Sequence, residues 1–190
     1  RVERMAGSQQ PSGVFVDAAE ELMTRAIPAP RPNERDLAFA EAQKVLNSYG
    51  ITAVADMGTT IEDWQAYRRA GDKGALTVRI MSYAAGPEQM ELIAGARPSP
   101  WLYDDKLRMN GIKIYLDGAL GSRGAWLKQD YADDPGNTGL PLTGPAKLRN
   151  ILVRAAQGNF QPAIHAIGTA ANEDALNAVA EIAESFPGDR

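Results

Sequence analysis

Residues 111–118, with the sequence GIKIYLDG, alternate apolar and polar side chains along a short segment. In an extended strand, neighbouring side chains point to opposite faces, so the aliphatic residues share one face. The other face carries Lys113, Tyr115 and Asp117. In a barrel, the aliphatic face of such a strand packs under helices and the polar face points inward, toward the C-terminal mouth. The segment therefore favours a sheet that helices cover on one side.

Strands and helices alternate along the rest of the chain. Predicted strands lie at 51–57, 76–83, 111–118 and 161–167, and helices at 34–49, 59–70, 87–95, 145–158 and from Asn172. Four strands that alternate with helices predict parallel βαβ units and an α/β fold class. Residues 1–33 are predicted to be mostly irregular, with a short helix within 17–26.

Two architectures fit this alternation: a doubly wound open sheet and a (β/α)8 TIM-like barrel. No G-x-G-x-x-G motif follows the first strand, so no sequence motif supports a dinucleotide-binding sheet. A complete barrel needs about 250 residues. Four units in 190 residues would therefore form about half of a barrel.

Local signals predict where helices begin and which faces they bury. Thr59-x-x-Glu62 has the spacing of a capping box, and Asn172 is of a residue type that caps helices. The helical period predicts apolar faces on the first and last long helices, formed by Leu37, Ala38, Ala42, Val45 and Leu46 and by Leu176, Val179, Ala183 and Phe186.

The composition excludes several classes of protein and of site. Of the 190 residues, 44% are hydrophobic and 23% are charged, a balance that excludes a wholly disordered chain. The absence of cysteine excludes a thiolate metal site, and a single histidine excludes a multi-histidine site within the chain. A net charge of −4 without a basic block argues against a nucleic-acid partner. No apolar run approaches the roughly 20 residues of a membrane span.

Lys113 and His165 are the two titratable residues that carry most of the functional argument. A buried lysine is costly unless it is paired, neutralised or modified. Lys113 therefore either forms a structural ion pair with an acid such as Asp56 or Asp117, or has a function. His165 is either a core histidine hydrogen-bonded to a carbonyl group, or a metal ligand or general base at a barrel mouth. The pattern alone leaves these alternatives open.

A long glycine-rich stretch follows the third strand and ends near Thr143. Residues 118–124 have the composition of a backbone nest for an anion, but they lack the Gly-Lys-Ser/Thr ending of a P-loop. Trp126 and Tyr131 follow on the same stretch. Their side chains either wall a substrate pocket or pack the loop onto the barrel rim.

Several segments, in the same order, resemble a known family. KIYLDGALGSRGAWL, residues 113–127, followed by Tyr131 and Asp133, resembles the signature stretch of amidohydrolase family 3. This family is the YtcJ-like branch of the metal-dependent amidohydrolase superfamily, which includes the N-substituted formamide deformylases. Three more segments are similar to segments of this family: IHAIGTAAN at 164–172, PSGVFVDAAEELMTRAIP at 11–28 and GITAVADMG at 50–58. The likeness covers nearly the whole chain.

The resemblance implies a distorted (β/α)8 barrel that holds one or two divalent metal ions, with zinc expected. The chain would be the central part of this catalytic domain, truncated at both ends and spanning barrel strands two to five. Residues 1–33 would be a lead-in segment, and residues 34–190 would form four β/α units.

The resemblance also implies roles for single residues. Lys113, on strand four, matches the lysine that CO2 converts to a carbamate bridging two metals. His165, on strand five, matches a metal-binding histidine, and both residues would be catalytic through the metal. Asp117, Trp126 and Tyr131 would shape the pocket for a small-molecule substrate. A metal-activated hydroxide would hydrolyse an amide-type carbon–nitrogen bond outside peptides.

Some of the family's site residues lie outside this chain: the His-x-His of strand one, the histidine of strand six and the aspartate of strand eight. Thr169 stands where relatives often carry aspartate. We therefore expect the intact protein to be an enzyme and the 190-residue piece alone to be inactive. Open sheet edges make a homo-oligomer possible, and the localisation stays unknown with the cytoplasm favoured.

Two other functions are compatible with the same residues. A non-catalytic barrel homologue that binds a small molecule or a partner would keep Lys113 as a plain cation. Another kind of barrel enzyme would use Lys113 as a Schiff base or general base. The metal content of the intact protein separates the first alternative from the hydrolase, and borohydride trapping of a substrate on Lys113 identifies the second.

Overall fold

The computed structural model describes residues 2–186, with side chains at all positions except 17 and 18. The first elements are β1 (Val2–Arg4), β2 (Pro11–Phe15), a 3-10 turn (Asp17–Glu20), α1 (Glu21–Thr24) and α2 (Pro32–Ser48). The remaining elements are β3 (Ala53–Thr59), α3 (Ile61–Asp72), β4 (Arg79–Ala85), α4 (Pro87–Ala94), β5 (Leu107–Tyr115), α5 (Pro145–Gly158), β6 (Gln161–His165) and α6 (Thr169–Ser185). Every helix within residues 2–186 is too short or too polar to cross a bilayer.

Strands β3, β4, β5 and β6 form one parallel sheet in the order in which they occur along the chain. A helix follows each strand, which confirms the predicted α/β class. A doubly wound sheet reverses its strand order at a switch point, whereas a barrel does not. The uninterrupted order of the described strands is therefore that of part of a TIM barrel.

The lead-in segment contains more regular structure than the sequence predicts. β1 and β2 pair antiparallel as a separate two-stranded sheet, with Val2 opposite Phe15. The prediction of a mostly irregular segment over 1–33 was wrong for these strands. It was wrong because the turn between them is longer than the two-residue turns that mark a hairpin most clearly in a sequence.

The hydrophobic core lies between the sheet and the helices. Ile112, Ile114 and Leu116 are buried, which confirms the predicted aliphatic face. Earlier on β5 the buried residues are the odd-numbered Leu107 and Met109, whereas from Ile112 onward they are even-numbered. The alternation of buried and open side chains is therefore interrupted between residues 109 and 112. The pairing of β4 with β5 shifts register at the same place. This irregularity explains why the alternation predicts the strand to begin at 111 rather than at 107.

Gly111 lies at this irregularity and allows a close contact between three strands. A Cβ atom there would come within 2.0 Å of the Gln161 backbone oxygen and within 2.6 Å of the Tyr83 ring. The Tyr83 hydroxyl donates a hydrogen bond to Oε1 of Gln161 at 2.7 Å. The tyrosine thus reaches from β4 across Gly111 to β6, and only a residue without a side chain leaves room for it.

The capping box of α3 is formed by Thr60 and Asp63 and not, as predicted, by Thr59 and Glu62. Thr59 is the last residue of β3, where it is buried and its hydroxyl donates a hydrogen bond to Asp56. Because two threonines stand in a row, the spacing rule fits both registers equally well. The end of the strand decides between them.

Helix α6 begins earlier than predicted. Gly168 is its N-cap residue, and Asn172 lies within the first turns of the helix. The Asn172 side chain donates hydrogen bonds back to the carbonyl oxygens of Ala166 and Gly168, at 2.9 and 3.0 Å. Asn172 therefore supports the turn before the helix rather than capping its N-terminus.

The long helices bury smaller faces than predicted. On α6, Ala171 and Ala178 are fully enclosed, whereas Leu176 is 70% exposed. On α2, Gln43 is the buried residue, and its side chain bonds the backbone around Thr77. The predicted apolar faces were therefore wrong at several positions, which are Leu37, Val45, Leu176 and Val179.

The contact at Gly111 generates a stability prediction for the intact protein. We expect Gly111→Ala to lower the free energy of unfolding by about 3 kcal/mol, because the added methyl group must displace the β6 backbone or the Tyr83 ring. Urea unfolding measures the change. Gly121→Ala is the matched control, since a Cβ atom at Gly121 meets no atom within 4 Å. Equal stability of the two variants would contradict the described register of β4, β5 and β6.

Candidate functional site

Strands β5 and β6 bring Lys113 and His165 together at the C-terminal edge of the sheet. Lys113 pairs in register with Ala163, and Tyr115 pairs with His165. Residues two apart on a strand share a face, so Lys113 and His165 are diagonal neighbours on the side opposite the buried aliphatic face. The C-terminal edge is where barrel enzymes bind their ligands.

Lys113 has no acidic partner among residues 2–186. Its Nζ atom lies 4.8 Å from the centre of the Tyr115 ring, and burial lowers the pKa of its ammonium group. Asp56 accepts hydrogen bonds from Thr59 and Tyr67 instead. The structural ion pair considered from the sequence is therefore absent from the described residues. A lowered pKa favours the neutral amine, which is the form that reacts as a nucleophile.

His165 is half-buried, and one of its two ring nitrogens is enclosed. Nε2 is buried, has no hydrogen-bond partner among the described residues, and lies 3.7 Å from Oδ1 of Asp117. The side chain is 27% exposed, and its ring centre lies 5.4 Å from that of Tyr115. With Nε2 enclosed, Nδ1 is the nitrogen left for a ligand on the open face.

Asp117 lies two residues beyond the end of β5 and is almost completely buried, with 1% of its surface exposed. Its Oδ2 accepts hydrogen bonds from the backbone N–H groups of Trp126 and Gly168, at 2.9 and 2.7 Å. Its Oδ1 accepts one from the N–H of Ile167 at 3.0 Å. The alternation of β5 predicts Asp117 on the open face with Lys113, and the structure instead encloses it between two loops.

The main chain of Trp126 joins the glycine-rich loop to the start of α6. Its carbonyl oxygen accepts hydrogen bonds from the N–H groups of Ala170 and Ala171, at 3.0 and 3.3 Å. A Cβ atom at Gly168 would come within 1.9 Å of the same oxygen, so the two segments approach as closely as backbones can. The Trp126 side chain packs against the hydrophobic core.

Tyr131 is buried, and its hydroxyl donates a hydrogen bond to the carbonyl oxygen of Ala125 at 2.9 Å. This contact matches the interpretation in which the aromatic residues pack the loop down. The substrate-binding role implied for Asp117, Trp126 and Tyr131 stays a prediction.

The glycine-rich segment 118–124 uses its amides within the loop. Gly118 N–H donates to the Gly124 carbonyl oxygen, and Gly124 N–H donates to that of Ala119. The amides of Gly118, Arg123 and Gly124 are therefore not available for the anion nest considered from the sequence. An ion pair at 2.8 Å between Arg123 and Asp133 adds a further link across the loop.

A cavity of about 280 Å³ lies beside Lys113, between the loop after β4 and the start of α5. The polar side chains that line it are Lys113, Tyr115, Thr143 and Lys147, and the apolar lining includes Ile151. Sequence reasoning missed Thr143 and Lys147. Both residues flank Gly144-Pro145, where the loop at the mouth meets the first turn of a helix. This position is the sequence feature from which they could have been predicted.

A complete metal site is not formed by the part of the chain that the structure describes. Within residues 2–186, no group of three or more acidic or histidine side chains converges on one point. Lys113 and His165 could therefore supply only part of a ligand set, and Lys113 only as a modified, oxygen-bearing side chain.

The sequence is similar to known proteins along most of its length. A model described as "Amidohydrolase family" matches residues 1–188. Protein LONG AFTER FAR-RED 3 of Arabidopsis thaliana is 33% identical, over 96% of this chain and 33% of its own length. YtcJ of Bacillus subtilis strain 168, whose name gives it as an amidohydrolase, is 29% identical over 90% of this chain and 32% of its own length. The chain spans about a third of the length of these relatives.

The fold is similar to two solved structures of uncharacterised metal-dependent hydrolases. The protein from Pyrococcus horikoshii is 24% identical with a TM-score of 0.79, over 98% of this chain and 38% of that chain. The protein from Pyrococcus furiosus is 25% identical with a TM-score of 0.79, over 94% of this chain and 39% of that chain. This chain shares the fold of about two fifths of each.

The buried hydroxyl of Tyr131 generates the second prediction. We expect Tyr131→Phe to lower the free energy of unfolding of the intact protein by about 1 kcal/mol, because the carbonyl of Ala125 loses its buried partner. Urea unfolding measures the change, and Tyr49→Phe, at a position 79% exposed, is the control. Unchanged stability together with weaker substrate binding would favour a pocket wall over loop packing.

Proposed function

The chain belongs to the amidohydrolase family, and from this premise we propose that the intact protein is a metal-dependent hydrolase of amide-type carbon–nitrogen bonds outside peptides. One observation carries the proposal. Lys113 and His165 are neighbours on the open face of the sheet, and Lys113 has no acidic partner among the described residues. Two such groups at the C-terminal strand edge suit a shared ligand better than a structural role.

The residues fit a divalent metal ion, for which zinc is our proposal. A neutral imidazole is a common zinc ligand, and an amine that has reacted with CO2 becomes a carbamate with carboxylate-like oxygen atoms. Burial of Lys113 favours the neutral amine that this reaction needs. When bound, the metal supplies a nucleophile at neutral pH and polarises the carbonyl group of the substrate.

The other residues of this chain hold the site and its surroundings in place. Asp117 and the backbone of Trp126 fix the loops at the mouth, and the cavity beside Lys113 offers space for part of a small-molecule substrate. The metal ligands that the chain lacks would come from other parts of the protein. We accordingly propose that residues 34–190 provide strands two to five of the catalytic barrel.

Lys113→Ala in the intact protein tests the modified lysine. We expect the variant to lose activity and to bind less zinc, because the oxygen ligand derived from the lysine is gone. Adding a short carboxylic acid such as acetate should restore part of both, since it can occupy the space of the missing ligand. Lys44→Ala, at an exposed position of α2, is the control.

Unchanged zinc content and unchanged turnover in Lys113→Ala would contradict the proposed role. Loss of turnover with full zinc content, together with borohydride trapping of a substrate carbonyl in the wild type, would instead identify Lys113 as a Schiff-base residue.

His165→Ala tests the second ligand. We expect the zinc affinity of the intact protein to fall by more than about 100-fold, because loss of an outer partner of a ligand already costs about 10- to 100-fold. Competition with a coloured chelator measures this affinity. A variant that retains both its zinc and its turnover would contradict this role and would support the alternative in which His165 is a core residue.

A further inference from the structure

Asp117 connects three segments around His165. Its carboxylate lies just beyond β5, bonds the N–H of Trp126 in the long loop, and bonds the N–H groups of Ile167 and Gly168 in the turn after β6. An aspartate with 1% exposure needs such donors in place of water, so its place in the structure is tightly defined.

The two carboxylate oxygens have different surroundings. Oδ2 receives both the Trp126 and the Gly168 N–H groups. Oδ1 receives only the Ile167 N–H and also faces Nε2 of His165, 3.7 Å away. Nε2 has no other partner among the described residues. Oδ1 is therefore the carboxylate oxygen that lies beside the buried, unpartnered Nε2 of His165.

We propose that Asp117 is a positioning residue that holds His165 in the tautomer with hydrogen on Nε2, leaving the lone pair of Nδ1 on the open face for a metal ion. An ionised carboxylate only accepts hydrogen bonds, so it favours the ring form that donates from Nε2. This inference rests on the proposed metal-dependent function, because the tautomer matters only if Nδ1 binds a ligand. It assigns Asp117 to the histidine rather than to the substrate.

Asp117→Asn in the intact protein separates this role from loop anchoring. The asparagine carbonyl oxygen can take the place of Oδ2 and keep the bonds to Trp126 and Gly168. Its NH2 group then occupies the place of Oδ1, where it gives up the bond from the Ile167 N–H but can donate to Nε2, so that the ring hydrogen moves to Nδ1. A protonated Nδ1 cannot bind a metal ion.

We expect Asp117→Asn to lower the affinity for Zn²⁺, measured by chelator competition, by about 10- to 100-fold. Nitrogen NMR of the metal-free protein, labelled at histidine, gives a second measurement. We expect the His165 signals, assigned by their loss in His165→Ala, to change from the Nε2–H to the Nδ1–H pattern. This spectrum reports the tautomer whether or not the protein binds metal.

Asn172→Ala is the matched control for loop anchoring. The Asn172 side chain supports the same turn from its other side, through the carbonyl oxygens of Ala166, Ile167 and Gly168. Its removal should lower the unfolding temperature while leaving the His165 tautomer and the Zn²⁺ affinity close to those of the wild type.

An unchanged tautomer in Asp117→Asn would overturn the inference. So would a loss of Zn²⁺ affinity in Asn172→Ala as large as that in Asp117→Asn, because the effect would then follow the loop and not the carboxylate. A wild-type protein that binds no Zn²⁺ would contradict the proposed function. In that case the spectra still decide whether Asp117 sets the tautomer of His165.

Discussion

The buried carboxylate of Asp117 is the constraint on which the candidate site depends. Asp117 is enclosed and receives three backbone N–H groups from two loops that are distant in sequence. Removing any of these donors would leave part of the charge uncompensated, so the end of β5, the long loop and the turn after β6 must be placed together. Lys113 and His165 lie on the strands that these loops join. Their relative placement is therefore held by backbone contacts as well as by strand pairing.

The fold class could be predicted because it depends on patterns that repeat. Alternating strands and helices, and the aliphatic face at Ile112 and Ile114, follow from side-chain period alone. The buried faces of α2 and α6 could not be predicted in the same way, because these helices carry apolar residues on more than one side. On α6 the small residues Ala171 and Ala178 are enclosed in the core, and the larger Leu176 is left exposed. Which side of the helix is enclosed depends on its neighbours in the fold, and these are not part of a periodic pattern.

For the candidate site, the same strand period placed Lys113 on the polar face of β5 but failed at Asp117. Alternation holds only while the backbone stays extended, and β5 ends at Tyr115. Beyond that residue the chain turns, and the direction of Asp117 depends on contacts with residues 126, 167 and 168. Contacts between segments far apart in sequence leave no local signal.

The open face of the sheet links closure of the proposed barrel to the chemistry of Lys113. On this face Tyr115 is 48% exposed and Met57 is 41% exposed. Partial burial already lowers the pKa of Lys113. Further strands packed over this face would remove more water from the ammonium group and lower its pKa further, because desolvation disfavours the charged form. The neutral amine, which the proposed carbamate would require, would then be more populated at neutral pH. The packing that completes the core would thus also prepare the lysine to become a metal ligand.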